Sequence, residues 1–199
     1  MPRPLILASQ SEIRAALLRN AGVSFEVHAA RIDEDAIRAS LSAENASPRD
    51  VADTLAEHKA RRIAGKRPEA LVLGCDQVAE LNGTILTKPD TPDTAIRQLT
   101  DLSGQTHRLL SAVVICEAGR PVWRHVGTVR LTMRDLSHTY IEHYVARNWD
   151  SIRHAVGAYK LEEEGVRLFS RIEGDYFTVL GLPMIELLSY LMERGDLSI

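Results

Sequence analysis

The run Leu71-Val72-Leu73-Gly74-Cys75-Asp76-Gln77-Val78-Ala79-Glu80 constrains this chain more than any other. Its apolar and small opening residues describe a strand buried on both faces, and an acid then follows with almost no polar lead-in. A carboxylate at the end of a buried strand costs on the order of several kcal/mol unless a cation or several donors meet it. Asp76 therefore calls for a metal ion, lysines or both at close range. The plainer alternative is that it caps a turn.

At 199 residues the chain can form one substantial core, and nothing in it demands a second domain, so residues 1–199 are expected to be one unit. The formal net charge of −3 argues against nucleic-acid polymers or anionic membranes as general partners. Charged small molecules would have to be met by local clusters. Cys75 and Cys116 each sit in an apolar run without a CxxC partner, so they read as small buried hydrophobes in a cytoplasmic protein. The first apolar run, Leu5 to Ala8, is far too short for a membrane span or a signal-peptide core.

Along the chain, Leu5-Ile6-Leu7-Ala8 predicts a strand entering Ser9-Gln10-Ser11, then a helix carrying Ile13, Leu17 and Leu18 that stops near Gly22. A helix N-terminus offers free N–H groups to phosphate, and Ser9, Ser11 and the Arg14 fork could add to them. Ordinary capping is the competing account. Phe25 to His28 predicts a strand, and Ile32-Asp33-Glu34-Asp35 a solvated acidic turn, with Asp33 or Glu34 a candidate Mg²⁺ oxygen ligand. Ser40 to Ser47 reads as a surface loop. Ser47-Pro48-Arg49-Asp50 opens a helix through Val51, Leu55 and Ile63 that carries Lys59.

Asn82-Gly83 predicts a tight hairpin that places Lys88 within reach of Asp76. Thr91-Pro92-Asp93 opens a helix ending at Leu102, and residues 106–117 and 122–134 predict a long hairpin. Ser137 caps a helix through Ile141 and Tyr144. Residues 166–172 predict a strand, Glu173 to Tyr176 a turn, and Leu182-Pro183 the start of a last helix. The order of elements is α/β, with long antiparallel strands in the second half.

Leu7-Ala8-Ser9-x-Ser11-x-x-Arg14, Asp33-Glu34, Lys59-Ala60, Gly74-x-Asp76, Lys88-Pro89, Leu102-Ser103-Gly104-x-x-His107, Gly157-Ala158-Tyr159 and Glu173-Gly174-Asp175-Tyr176 occur in that order. In this arrangement the chain resembles the Maf family of nucleoside triphosphate pyrophosphatases from about Leu5 to Leu191. The resemblance implies an elongated mixed sheet with flanking helices, two lobes around a central cleft, and a homodimer. It also implies hydrolysis between the α and β phosphates of a nucleotide with Mg²⁺ or Mn²⁺. Asp76 would then be the general base, Glu34 and Asp76 the metal-linked carboxylates, and Ser9, Ser11, Arg14, Lys59 and Lys88 the phosphate cradle. Such a cradle suits phosphate chemistry, which depends on positioning and charge neutralisation.

For the base, Gln77, Lys160 and Glu162 are similar to the family's 7-methyl-GTP branch rather than its dTTP/UTP branch. A carboxylate at Glu162 could accept guanine N–H groups and favour a cationic methylated ring. Ile13 departs from the family's Arg or Trp, which removes a stacking surface for the base, and Glu12 replaces its Pro.

Overall fold

A computed structural model describes residues 3–198. One seven-stranded mixed sheet runs through it, built from β1 (Leu5–Leu7), β2 (Glu26–Val27), β3 (Leu71–Leu81), β4 (Thr84–Leu86), β5 (Thr106–Glu117), β6 (Arg120–Met133) and β7 (Phe169–Glu173). The strand order is β2-β1-β3-β5-β6-β7, with β4 attached to β3. β1 is parallel to both β2 and β3, and every other pairing is antiparallel. The α/β class and mixed sheet are as the sequence predicts. The strand order itself does not display the two lobes that the family likeness implies.

Helices cover both faces. α1 (Glu12–Asn20), α4 (Pro92–Leu102), α5 (His138–Ile152) and α7 (Met184–Glu193) pack on one face, around Leu18, Leu99, Tyr144 and Leu187. α3 (Pro48–Ala64) packs on the other through Val51, Leu55, Ala56 and Ala60. Strand β3 feeds both cores by simple alternation: Leu71, Leu73, Cys75 and Ala79 face the first, Val72 and Val78 the second. Among the described residues no helix is long and apolar enough to cross a membrane.

Several turns follow directly from local chemistry. Asn82 and Gly83 adopt φ 51° and 87°, the left-handed pair that a two-residue hairpin between β3 and β4 requires. Ser47, Thr91 and Ser137 each accept a backbone N–H at the start of their helices, as predicted.

Three expectations are corrected. The acidic turn and the Ser-rich loop are largely one helix, α2 (Glu34–Ala43). Asp33 caps it, accepting from Ala36 N–H at 3.0 Å, and Glu34 and Asp35 sit in its first turn, where acids favour a helix dipole. The predicted strand 166–172 starts only at Phe169, because Glu164–Leu168 winds into a 3₁₀ turn with Gly165 pressed against the Lys160 backbone. The predicted turn at 173–176 runs into a one-turn helix, α6 (Tyr176–Val179), capped by Asp175.

One feature of the sheet positions the residues of the cavity. On its β1 side β3 is paired at Leu71–Leu73, and on its β4 side at Ala79–Leu81. Between these, Gly74 to Val78 have no strand neighbour along that edge, while their other edge stays paired with β5. Asp76 and Gln77 lie in this gap.

Candidate active site

Gly74 lets α3 lie directly on β3. A Cβ there would run into the carbonyl oxygen of Ala56 and the backbone and side chain of Ala60. No larger residue permits that approach without moving the helix. The contact puts Lys59, one residue before Ala60, above Asp76.

The Lys59 Nζ donates to Asp76 Oδ1 at 2.7 Å and lies 2.9 Å from Glu34 Oε1. Arg38, one turn after Glu34 on α2, approaches the other oxygens: its Nη2 is 3.5 Å from Asp76 Oδ2 and 3.9 Å from Glu34 Oε2. Two acids and two cations thus form a closed ring. The side chains of Asp76 and Lys59 are only 7 % and 12 % exposed, so neither charge could stay there without the other. Burial pushes the Glu34 carboxyl up, but the Lys59 hydrogen bond and the charges of Lys59, Arg38 and Lys88 outweigh it. The result lies below the ordinary carboxylate range.

The ring opens into a cavity of about 730 Å³ that is also lined by Ser9, Ser11, Ile13, Arg14, Gln77, Lys88 and Glu162. Of the residues that the sequence singles out for the site, all but Asp33 border this one space. Their engagements differ. Ser11 caps α1 through Arg14 N–H, the local role its position allows, and Ser9 Oγ accepts from Ser11 N–H and Arg14 Nη1. Arg14 also donates from Nε to Gly181 O at 2.9 Å and from Nη1 to Cys75 O at 3.2 Å, so much of its fork braces the protein. Lys88 is exposed at the cavity rim. Of the two candidate acids on the turn, Asp33 serves as the α2 cap and Glu34 reaches the ring.

Gln77 faces the opposite side of the sheet from Asp76. Its Nε2 donates to Val179 O at 2.9 Å, to Ser111 Oγ at 3.0 Å and to Thr178 O at 3.3 Å. Two carbonyl partners fix the amide's orientation and leave Oε1 as the acceptor. Glu162 is exposed and has no ion pair among the described residues, whereas Lys160 pairs with Glu163 at 3.2 Å. Tyr159 is buried with its hydroxyl 2.6 Å from His107 Nε2 and its ring edge-on to Phe169, a packing role. Glu12 leans out to Arg19 at 3.5 Å rather than into the ring.

Arg38 is the member of the ring that the sequence reading missed. Its signal was present: Asp33 as a cap, acids in a first turn, and Ile37 and Leu41 four apart define a helix on which Glu34 and Arg38 share a face.

A divalent cation can be tested against these groups. Among the described residues no set of three or more His, Cys, Asp or Glu side chains converges. The two carboxylates within hydrogen-bond reach of one lysine do match the hard-oxygen, few-ligand mode of Mg²⁺ sites, which substrate phosphates and water complete.

Fold and site together define a mixed-sheet α/β protein whose cavity pairs one buried and one half-exposed acid with cations at a break in the sheet. The family model described as Maf-like protein matches residues 4–194, and the chain belongs to the Maf family. It is 67 % identical over 197 residues to the nucleoside triphosphate pyrophosphatase of Roseobacter denitrificans, covering 99 % of each chain. To the protein of the same name in Ruegeria pomeroyi it is 63 % identical, covering 98 % of each. The 7-methyl-GTP pyrophosphatase of Brucella abortus is similar at 48 % identity over 187 residues, 94 % of each chain.

Proposed function

We propose that the chain is a nucleoside triphosphate pyrophosphatase, cleaving the α–β phosphoanhydride to leave a nucleoside monophosphate and pyrophosphate. The observation that carries this reading is the ring of Asp76, Lys59, Glu34 and Arg38 at the wall of one large cavity. In the reaction, a water oxygen forms a bond to the α phosphorus as the bond from that phosphorus to the bridging oxygen breaks. The water's proton passes to the Asp76 carboxylate, and pyrophosphate departs with the bridging oxygen. Lys59 holds Asp76 in place through Oδ1, and Lys88 adds positive charge at the rim. Glu34 and Asp76 would hold Mg²⁺ or Mn²⁺, which when bound supplies further neutralisation of phosphate charge.

Within this class the reading extends to 7-methyl-GTP. It is supported by the free carboxylate of Glu162 and the acceptor oxygen of Gln77, both of which suit the N–H edge of guanine. The name printed for the Brucella abortus relative agrees with it. A dimer in solution belongs to the same proposal. Asp76→Asn in an assay of released pyrophosphate tests the chemistry, and an unchanged rate would refute it. A panel of triphosphates tests the base: turnover should be faster with 7-methyl-GTP than with dTTP or UTP, and the reverse ranking would move the chain to pyrimidine substrates.

A further inference from the structure

We infer that Arg38, rather than serving as a fixed partner of Asp76, is a phosphate-binding residue that exchanges its weak hold on the two carboxylates for the triphosphate. The inference rests on the proposed function for its substrate, but its evidence is the unequal grip of the two cations. Lys59 contacts both acids at hydrogen-bonding distance, 2.7 and 2.9 Å. Arg38 stands off at 3.5 and 3.9 Å and uses a single nitrogen, Nη2, for both. The first distance is the limit of a hydrogen bond and the second is beyond it.

Among the described residues, Nε and Nη1 of Arg38 have no hydrogen-bond partner, whereas the same two nitrogens of Arg14 are engaged by Gly181 O, Cys75 O and Ser9 Oγ. The two bidentate faces of a guanidinium, Nε with Nη2 and Nη1 with Nη2, share Nη2, so once that nitrogen gives up its long contacts to the carboxylates the whole fork of Arg38 is open to grip phosphate. Its side chain is 28 % exposed and lines the cavity with Lys59 and Lys88.

Charge points the same way. Lys59 alone must answer both Asp76 and Glu34, so a bound triphosphate needs cations that those acids do not already hold at close range. Arg38 and Lys88 meet that requirement. The element carrying Arg38 can also adjust: α2 has no fully buried residue and rests on the molecule through the partly buried Ile37 and Leu41 and this ring.

The test is calorimetric titration of the intact protein with inorganic tripolyphosphate, free of divalent ions, for wild type, Arg38→Met, Arg38→Lys and Arg31→Met. Met preserves the apolar stem, Lys keeps charge without the fork, and Arg31 is an exposed arginine that does not line the cavity. Arg38→Met should weaken binding on the order of 10- to 100-fold, the effect of losing charge-assisted hydrogen bonds. Arg38→Lys should fall between, and Arg31→Met should stay within about twofold, since an exposed charge outside the cavity is screened by solvent and salt. Thermal unfolding checks that each variant is folded, and Arg38→Lys carries the test should Arg38→Met not be. The assignment is overturned if the Arg38 variants bind as tightly as wild type, if Arg31→Met loses as much, or if wild type itself does not bind. Pyrophosphate release by wild type is assayed in parallel. Its absence, with the tripolyphosphate pattern intact, would refute the proposed function while leaving Arg38 as a phosphate-binding residue.

Discussion

Asp76 and Glu80 lie four residues apart on the same face of β3, and both are almost wholly buried, at 5 % and 3 % exposed. Glu80 is met locally. Arg108, its register partner on β5, donates from Nε at 2.6 Å, and the Gly83 N–H of its own hairpin donates as well. Burial pushes the Glu80 carboxyl up, but these bonds and the Arg108 charge bring it below the usual range. Asp76 is met instead by residues from two different helices outside the sheet, and its surroundings open into the cavity. A buried acid is therefore not a site in itself. What separates the two is whether the neutralising cations are committed to holding the strand or are shared with a space that a ligand can enter.

The largest expected effect sets these acids directly against each other. Asp76→Asn should lower pyrophosphate release by roughly 10²- to 10⁴-fold, the usual range for removing a general base. Glu80→Gln should leave it within about threefold while lowering stability by about 1 to 3 kcal/mol, as a charged hydrogen-bond pair is lost. Equal losses of activity would break the comparison.

A second test concerns the surroundings of Glu80. Burial pushes the neighbouring His107 down to about 4, against an ordinary 6.5. As pH falls from 6.5 towards 4, the unfolded chain takes up a proton at this position and the folded one does not, so the folded state loses stability. The loss should be about 3 kcal/mol, from the size of the shift. Glu80 has a depressed pKa, so its own contribution persists above the ordinary carboxylate range and is lost only as pH falls through its lowered value. Chemical denaturation at pH 7 and pH 5 isolates the histidine, and His107→Phe should flatten the slope whatever it does to absolute stability.

A smaller effect probes the Asp76 side. Gly74→Ala should cost about 1 to 3 kcal/mol through overpacking against α3. It should also lower activity by displacing Lys59, whereas Gly83→Ala at the Glu80 hairpin should affect stability alone. Thermal melts with paired activity assays would show whether the two ends of β3 separate in this way.

Much of this was legible in the sequence because it depended on local chemistry. Asp76 stood out as an acid in an apolar run, and the Asn82-Gly83 hairpin and the caps at Ser47, Thr91 and Ser137 follow from backbone preferences of single residues. The partner of Asp76 was less accessible. That Lys59 answers it depends on how closely α3 approaches β3, and only the structure shows the Ala56 and Ala60 contacts that set this distance. Arg38 escaped because its helix buries no residue completely and its acids read as a solvated turn. Arg14 was legible as a fork near the site. Its engagement with Gly181 O was not, since that partner is 167 residues away.

The unpaired edge of β3 has a further consequence. A molecule entering there meets consecutive side chains pointing to opposite sides of one rigid peptide plane: the acid held by α3, and the amide held by Ser111 and the carbonyls of Thr178 and Val179. If Asp76 is the base and Gln77 reads the nucleotide, reactivity and selectivity are fixed in phase by the pleat. Residue types can change at the second position without disturbing the first. A single deletion between Leu73 and Asp76 would exchange the two, presenting glutamine to the lysine and the carboxylate to the wrong core.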